Sequence, residues 1–168
     1  FIEPALPQGF KIVEQDGSFV KFPKVFEDGV VLEASCDLAD SVFNPEMSDE
    51  IQDPEANKKL VSRPDFKIRL VKKSGRAVVF DCAFSEMASE EVADQIPSFE
   101  IVSVEVEALS GYFVRADMLD EEVYSQMVNL LLERIDTKFQ EQLENFFTDQ
   151  EHKLYLDFLK ELNAYCKE

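Results

Sequence analysis

The sequence predicts an α+β fold, a seven-stranded antiparallel twisted sheet followed by two C-terminal helices. Three observations carry that prediction. Between residues 9 and 118 apolar and polar side chains alternate in short runs, the period of half-buried strands. Turn pairs separate several of these runs, at Asp16-Gly17, Asp28-Gly29, Ser74-Gly75 and Ser110-Gly111. From residue 120 onward the apolar spacing changes to three and four, the period of a helix. A length of 168 residues fits one domain. With no linker-like composition shift and no repeat, residues 1–168 read as one domain, with the sheet over 9–118 and the helical part over 120–168.

Residues 9–15 alternate Phe10 and Ile12 with Lys11 and Gln15. Residues 18–27 place Val20, Phe22 and Phe26 on one face, and Pro23 within the run points to an edge position or a bulge. In 30–38, Val30, Leu32, Ala34, Cys36 and Leu38 oppose Glu33, Ser35 and Asp37. The stretch 40–63 has no period and reads as a solvated loop. Phe66, Ile68 and Leu70 mark a strand over 65–73, and Val78, Phe80, Cys82 and Phe84 another over 76–84. A second acidic loop spans 85–98. In 99–108 Val102, Val104, Val106 and Ala108 share one face, and in 112–118 so do Tyr112, Val114, Ala116 and Met118.

Asp120, Glu121 and Glu122 suit the N-terminus of a helix over 120–135 with the stripe Val123, Met127, Leu130, Leu131 and Ile135. Asp136-Thr137 can cap the next helix. That helix carries Phe139, Leu143, Phe146, Phe147, Leu154, Tyr155, Phe158, Leu159, Leu162 and Tyr165, close to coiled-coil spacing. Its apolar side is wider than one small sheet needs, so part of it is expected to meet another helix or subunit.

The chain holds 35 Asp and Glu against 17 Lys and Arg, a formal charge of −18. That balance opposes nonspecific nucleic-acid binding, which draws affinity from phosphate neutralisation, and docking on an anionic membrane. The expected partners are cationic proteins, basic tails or metal cations. The 15 Phe and 45% hydrophobic content separate the chain from a disordered acidic tail.

Catalytic material is thin. His152 is the only imidazole, set between Glu151 and Lys153, and nothing nominates the third group of a triad. There is no phosphate-binding glycine loop and no GxSxG, and 35 acids allow no particular pair to be chosen for glycoside hydrolysis. No enzyme activity, catalytic residue, metal site or cofactor is therefore expected. Cys36, Cys82 and Cys166 are odd in number and lack a CxxC pair, which argues for a reducing compartment. Cys36 and Cys82 fall on apolar strand faces, whereas Cys166 is expected to be exposed.

The charge is segregated. Asp37, Asp40, Glu46, Asp49, Glu50, Asp53 and Glu55 follow one another with no base among them. Within that run Glu46, Asp49, Glu50, Asp53 and Glu55, and in the next loop Glu86, Glu90, Glu91 and Asp94, read either as solvated loops or as partner-binding acidic patches. Neither has the oxygen spacing and turn glycine of an EF-hand, which leaves at most weak cation binding. Between them lie Lys58, Lys59, Arg63, Lys67, Arg69, Lys72, Lys73 and Arg76, against Asp65 alone. This basic strand pair either neutralises neighbouring acidic strands, the favoured reading, or offers Lys67, Arg69, Lys72 and Lys73 to an anion or RNA.

Residues 65–84, DFKIRLVKKSGRAVVFDCAF, resemble the central strand pair of the mitochondrial acidic matrix protein family. EHKLYLDFLKEL at 151–162 is similar to that family's closing helix through Glu151, His152, Tyr155, Phe158, Leu159 and Leu162. LPQGFKIVEQDG at 6–17 resembles its first strand. The resemblance covers residues 6–168 and implies seven antiparallel strands between an N-terminal helix and two C-terminal helices, assembled as a doughnut-shaped homotrimer. It further implies a non-enzymatic scaffold or chaperone of the mitochondrial matrix. Such a scaffold binds basic and RNA-binding proteins and supports RNA processing, ribosome assembly or translation; a direct RNA-binding or RNA-editing accessory role is the alternative. The chain opens at Phe1, lacks the family's N-terminal helix and has shorter acidic loops than the long-loop members; an upstream segment, including a transit peptide, is expected.

Overall fold

The computed structural model describes residues 6–40, 62–84, 99–136 and 138–168. Its strands are β1 (Glu14–Asp16), β2 (Phe19–Val25), β3 (Val31–Asp37), β4 (Phe66–Val71), β5 (Ala77–Phe84), β6 (Phe99–Val106) and β7 (Phe113–Arg115). Helices α1 (Glu121–Leu132) and α2 (Phe139–Lys167) follow. All seven strands form one sheet in chain order, and each neighbouring pair is antiparallel. The expected class is the observed one.

Local chemistry explains the turns. Asp16 stands opposite Phe19, so Gly17 and Ser18 close the first hairpin. Gly17 has φ +58°, a left-handed backbone that glycine adopts without a Cβ clash. The Ser18 hydroxyl donates to the Asp37 carboxylate, joining this turn to the end of β3.

The strands are shorter than the ranges read from the sequence, and three of them differ in more than a few end residues. β1 is shorter than 9–15, although Lys11 N–H still donates to the Pro23 carbonyl at 3.4 Å and Val13 N–H to that of Lys21 at 3.0 Å. Pro23 has no N–H to return, so the ladder cannot close beside it. β6 contains a bulge: Asp81 pairs with Ser103 and Cys82 with Ile101, leaving Val102 unpaired. Ile101 takes the inward place expected of Val102, which is turned outward. Beyond the bulge, Val104 and Val106 stand opposite Phe80 and Val78. β7 covers only the middle of 112–118, because Ala116–Met118 tightens into a 3₁₀ turn that leaves Met118 exposed.

Alternation supplies one face of the core. Val20, Phe22, Leu32, Ala34, Cys36, Phe66, Ile68, Phe80 and Cys82 are all buried. The first half of α2 covers that face with Phe139, Leu143, Phe146 and Phe147. Phe22 meets Phe146 and Phe147 edge-on at 6.0 and 6.3 Å, and Phe84 meets Phe147 at 6.2 Å. Such edge-to-face pairs add to the burial of each ring. α1 contributes Leu131, and the connection after it contributes Ile135.

The start of α1 is capped by an aspartate side chain, whereas the N-cap of α2 is Lys138, which makes no side-chain cap hydrogen bond, so the expected Asp136-Thr137 cap lies ahead of the helix start. The Asp120 carboxylate accepts from Val123 N–H at 2.9 Å, with Glu121 and Glu122 in the favourable first turn. The Asp136 carboxylate accepts from Lys138 N–H at 2.9 Å; Thr137 lies outside the described residues. Arg63 with Glu144 and Ser62 N–H with the Thr148 hydroxyl, each at 2.9 Å, moor the approach to β4 onto α2.

Candidate interaction surfaces

On the sheet face away from the core, pairing register decides which charges meet. Lys67 lies directly opposite Asp81, and their side chains approach to 3.5 Å. Asp81 also accepts from the Ser103 hydroxyl at 2.7 Å. Arg69 reaches past β5 to Glu107, donating from Nε at 2.7 Å and from Nη2 at 2.8 Å, a bidentate pair. The same hydrogen bonds hold the Glu107 carboxyl below its usual range and raise the Arg69 guanidinium. Glu33 stands opposite Arg69 on the other side, and Lys21 pairs with Glu33 at 3.3 Å. Lys67 and Arg69 are thus matched by carboxylates, one on β5 and one in the turn that follows β6. Lys72 and Lys73 lie apart from them at the β4–β5 turn, exposed and without an ion pair among the described residues. Lys67 and Arg69 share one sheet face, and Lys72 and Lys73 share the turn that follows β4.

The outer half of α2 leaves the domain. Its first nine residues bury five side chains, whereas Tyr155, Leu156, Phe158, Leu159, Leu162 and Tyr165 are all exposed, Tyr155 and Phe158 each to 57%. Tyr155, Phe158, Leu162 and Tyr165 follow a three–four spacing, one seam along one side of the helix. Glu151 and His152 stand at its beginning, half-buried and exposed respectively. The acids Glu46, Asp49, Glu50, Asp53, Glu55, Glu86, Glu90, Glu91 and Asp94 all lie outside the described residues.

The cysteines sit where alternation put them. Cys36 and Cys82 are buried on either side of Phe66, and Cys166 is exposed. Burial, then Asp37 and Asp40, pushes the Cys36 thiol up to about 12. Burial, then Asp81 and Asp65, raises Cys82 further. Such thiols are poor nucleophiles. Among the described residues no three His, Cys, Asp or Glu side chains come together as metal ligands, and no helix is long and apolar enough to cross a membrane.

Two features escaped sequence reading. Arg134 forks onto Asp28 at 3.0 and 2.7 Å and lies 5.0 Å from the Phe26 ring centre, which Lys24 also approaches at 5.0 Å. This clasp joins the β2–β3 turn to the α1–α2 connection. Its partners are 106 residues apart, so no local pattern announces them. The second is an apolar groove of about 230 Å³ between β6, β7 and α1, lined by Val104, Val106, Leu109, Tyr112, Val123 and Met127 among others. The inward valines were legible, but the incomplete cover over them was not.

No profile of a known protein family matches the chain. It is 31% identical to the mitochondrial complement component 1 Q subcomponent-binding protein of Bos taurus over 127 residues, covering 70% of this chain and 44% of that protein. Against the Homo sapiens protein of the same name it is 30% identical over 129 residues, with the same coverage. The chain therefore spans less than half the length of these curated relatives. Among solved structures, a Leishmania major protein of unknown function, described as a sequence homologue of human p32, superposes with a TM-score of 0.66 at 16% identity. That match covers 98% of this chain and 86% of the other and shows the fold. The strand order, the two closing helices and the sequence kinship together place the chain in the family of the mitochondrial complement component 1 Q subcomponent-binding protein.

Proposed function

We propose that the chain is a non-enzymatic subunit of an acidic homotrimer of the mitochondrial matrix. The assembly acts as a scaffold or chaperone for basic, RNA-associated proteins and supports mitochondrial RNA processing, ribosome assembly or translation. The observation that carries this reading is the disposition of charge. Lys21, Arg63, Lys67, Arg69, Arg115, Arg134, Lys153 and Lys160 are engaged in ion pairs within the chain. Acids outnumber bases by 35 to 17, so the excess carboxylates have no internal cation to meet. A surface of that kind attracts cationic proteins over long range. The runs Glu46–Glu55 and Glu86–Asp94 are assigned to such contacts. The exposed seam of α2 supplies an apolar surface for assembly, and the mitochondrial names of the relatives support the compartment.

Sedimentation equilibrium and capture from mitochondrial extract test the proposal together. The expected mass is three times 19.3 kDa, and the expected captives are basic RNA-associated proteins released as salt rises. A 19.3 kDa monomer overturns the trimer. Absent or salt-insensitive capture overturns the scaffold. A second reading, direct RNA contact, draws on the β4–β5 turn, where Lys72, Lys73 and Arg76 have no ion pair among the described residues. RNA crosslinking that a K72E/K73E variant abolishes while keeping its mass would favour it; no crosslinking at low salt would dismiss it.

A further inference from the structure

α1 starts soundly but is seated incompletely. The Asp120 carboxylate accepts from Val123 N–H at 2.9 Å, and the Asp120 carbonyl accepts from Tyr124 N–H at 3.0 Å. The side of the helix toward the sheet follows the three–four spacing Tyr124, Met127, Val128 and Leu131. Of these only Leu131 is fully buried, and the other three are half-buried against the core. α2 differs, burying five of its first nine side chains. The groove of about 230 Å³ is the unfilled space between Val123 and Met127 of α1 and Val104, Val106 and Val114 of the last two strands. Atoms lining such a gap lose the dispersion contacts that a filled core supplies.

Two catches hold the helix, one toward each end. Ile101 N–H, beside the bulge in β6, donates to the Tyr124 hydroxyl at 3.4 Å. Among the described residues this is the one side-chain hydrogen bond between α1 and the sheet. Just past the helix, Arg134 forks onto Asp28 at 3.0 and 2.7 Å, with its guanidinium over the Phe26 ring. The first catch is long for a hydrogen bond. The second is an ion pair within reach of solvent, with the Asp28 side chain half exposed. The chain leading into α1 adds little hold, because β7 is three residues long and the 3₁₀ turn Ala116–Met118 leaves Met118 exposed. A helix of 12 residues is marginal by itself in water, so α1 keeps its shape only while docked. Few buried contacts and solvent-exposed ties mark a unit that opens without global unfolding.

We infer that α1 is a detachable cover of the sheet, with the Tyr124 hydroxyl and the Arg134–Asp28 pair as its two catches. It undocks and melts as a unit while α2 and the central strands stay folded, and so bares Val104, Val106 and Val114. One catch is ionic, so salt acts on the cover in the opposite sense to the domain. Screening relieves the self-repulsion of a −18 chain but loosens Arg134 from Asp28. The inference is independent of any partner.

Hydrogen exchange on the full chain, followed by mass spectrometry across sub-denaturing urea concentrations, tests it. Peptides covering Ser125–Leu132 should exchange faster than those covering Phe139–Phe147, through openings that urea accelerates only weakly. Tyr124→Phe keeps the ring and removes the hydroxyl, and Arg134→Met keeps an apolar stem beside Phe26 and removes the fork. Each should raise α1 exchange about fivefold. Ile68→Val, a mild change in the buried centre of β4, should raise exchange in Phe139–Phe147 by about fivefold and leave α1 as it was. Raising NaCl to about 0.5 M should speed α1 exchange in wild type and Tyr124→Phe, slow exchange in Phe139–Phe147, and lose its effect on α1 in Arg134→Met. If Ile68→Val speeds both regions equally, α1 opens only with the whole domain and the detachable cover is overturned. Tyr124→Phe and Arg134→Met variants that leave α1 exchange unchanged overturn the two catches. A salt response of α1 that is absent, or is the same without Arg134, overturns the ionic one.

Discussion

Cys36, Phe66 and Cys82 lie side by side across three strands, and they show how far a single residue's fate is legible from its neighbours. Each sits at an apolar position of an alternating run, and each is buried. With both inner thiols raised by burial, a thiol reagent at neutral pH should label one cysteine per native chain, Cys166, and all three after unfolding. Mass spectrometry of the labelled chain checks this; rapid native labelling of Cys36 or Cys82 would contradict the packing. Val102 was the residue that periodicity misplaced. Alternation assumes an unbroken ladder, and a bulge violates that assumption through pairing geometry that no apolar pattern encodes. Arg134 was silent for another reason, since its meaning depends on Asp28 and Phe26, distant in sequence.

Elements are held in register by ties that skip a neighbour. Arg69 bridges β4 to the 3₁₀ turn Glu107–Leu109 that follows β6, passing over β5. Glu107 is depressed by that hydrogen bond from an ordinary 4.5, so its contribution to stability is present above the carboxylate range and is lost as pH falls through the folded value. Asp28 and Asp37 are lowered likewise, by Arg134 and by Ser18. Urea midpoints measured from neutral pH downward should therefore fall on the acid side. An Arg69→Met variant should start lower and fall less, because its Glu107 has no paired state to lose. Equal slopes would show that the pair contributes nothing. Existence and order of the strands and helices were readable, because alternation and the change to helical spacing are strong signals over many residues. Strand lengths were not, since β1 and β7 stop where hydrogen-bond partners stop. The division of α2 into a covered and an uncovered half was only half legible: its apolar side was visibly too long for one sheet, but where the cover ends depends on the sheet's extent.

At the scale of the whole molecule the segregated charge dominates. A charge of −18 on one domain opposes its own compact state through self-repulsion, so added salt should raise the melting temperature. The same salt should release cationic partners. Scanning calorimetry and affinity capture across one salt series should move in opposite directions, and a melting temperature that falls with salt would show that internal ion pairs outweigh repulsion. The acidic runs, which the sequence reads either as solvated loops or as partner-binding patches, lie outside the described residues; the groove, which it did not mark, is formed by packed elements. That contrast is physical, because solvated charge is written in composition, whereas a cavity is a property of what fails to cover a face. The short ends of the sheet carry a last consequence. β1 and β7 are three residues each, so neither outer margin offers a row of free amides long enough for another chain to zip onto. Contacts at these margins are thereby left to side chains, and the proposed gathering of basic polypeptides would proceed without templating their backbones into fibres.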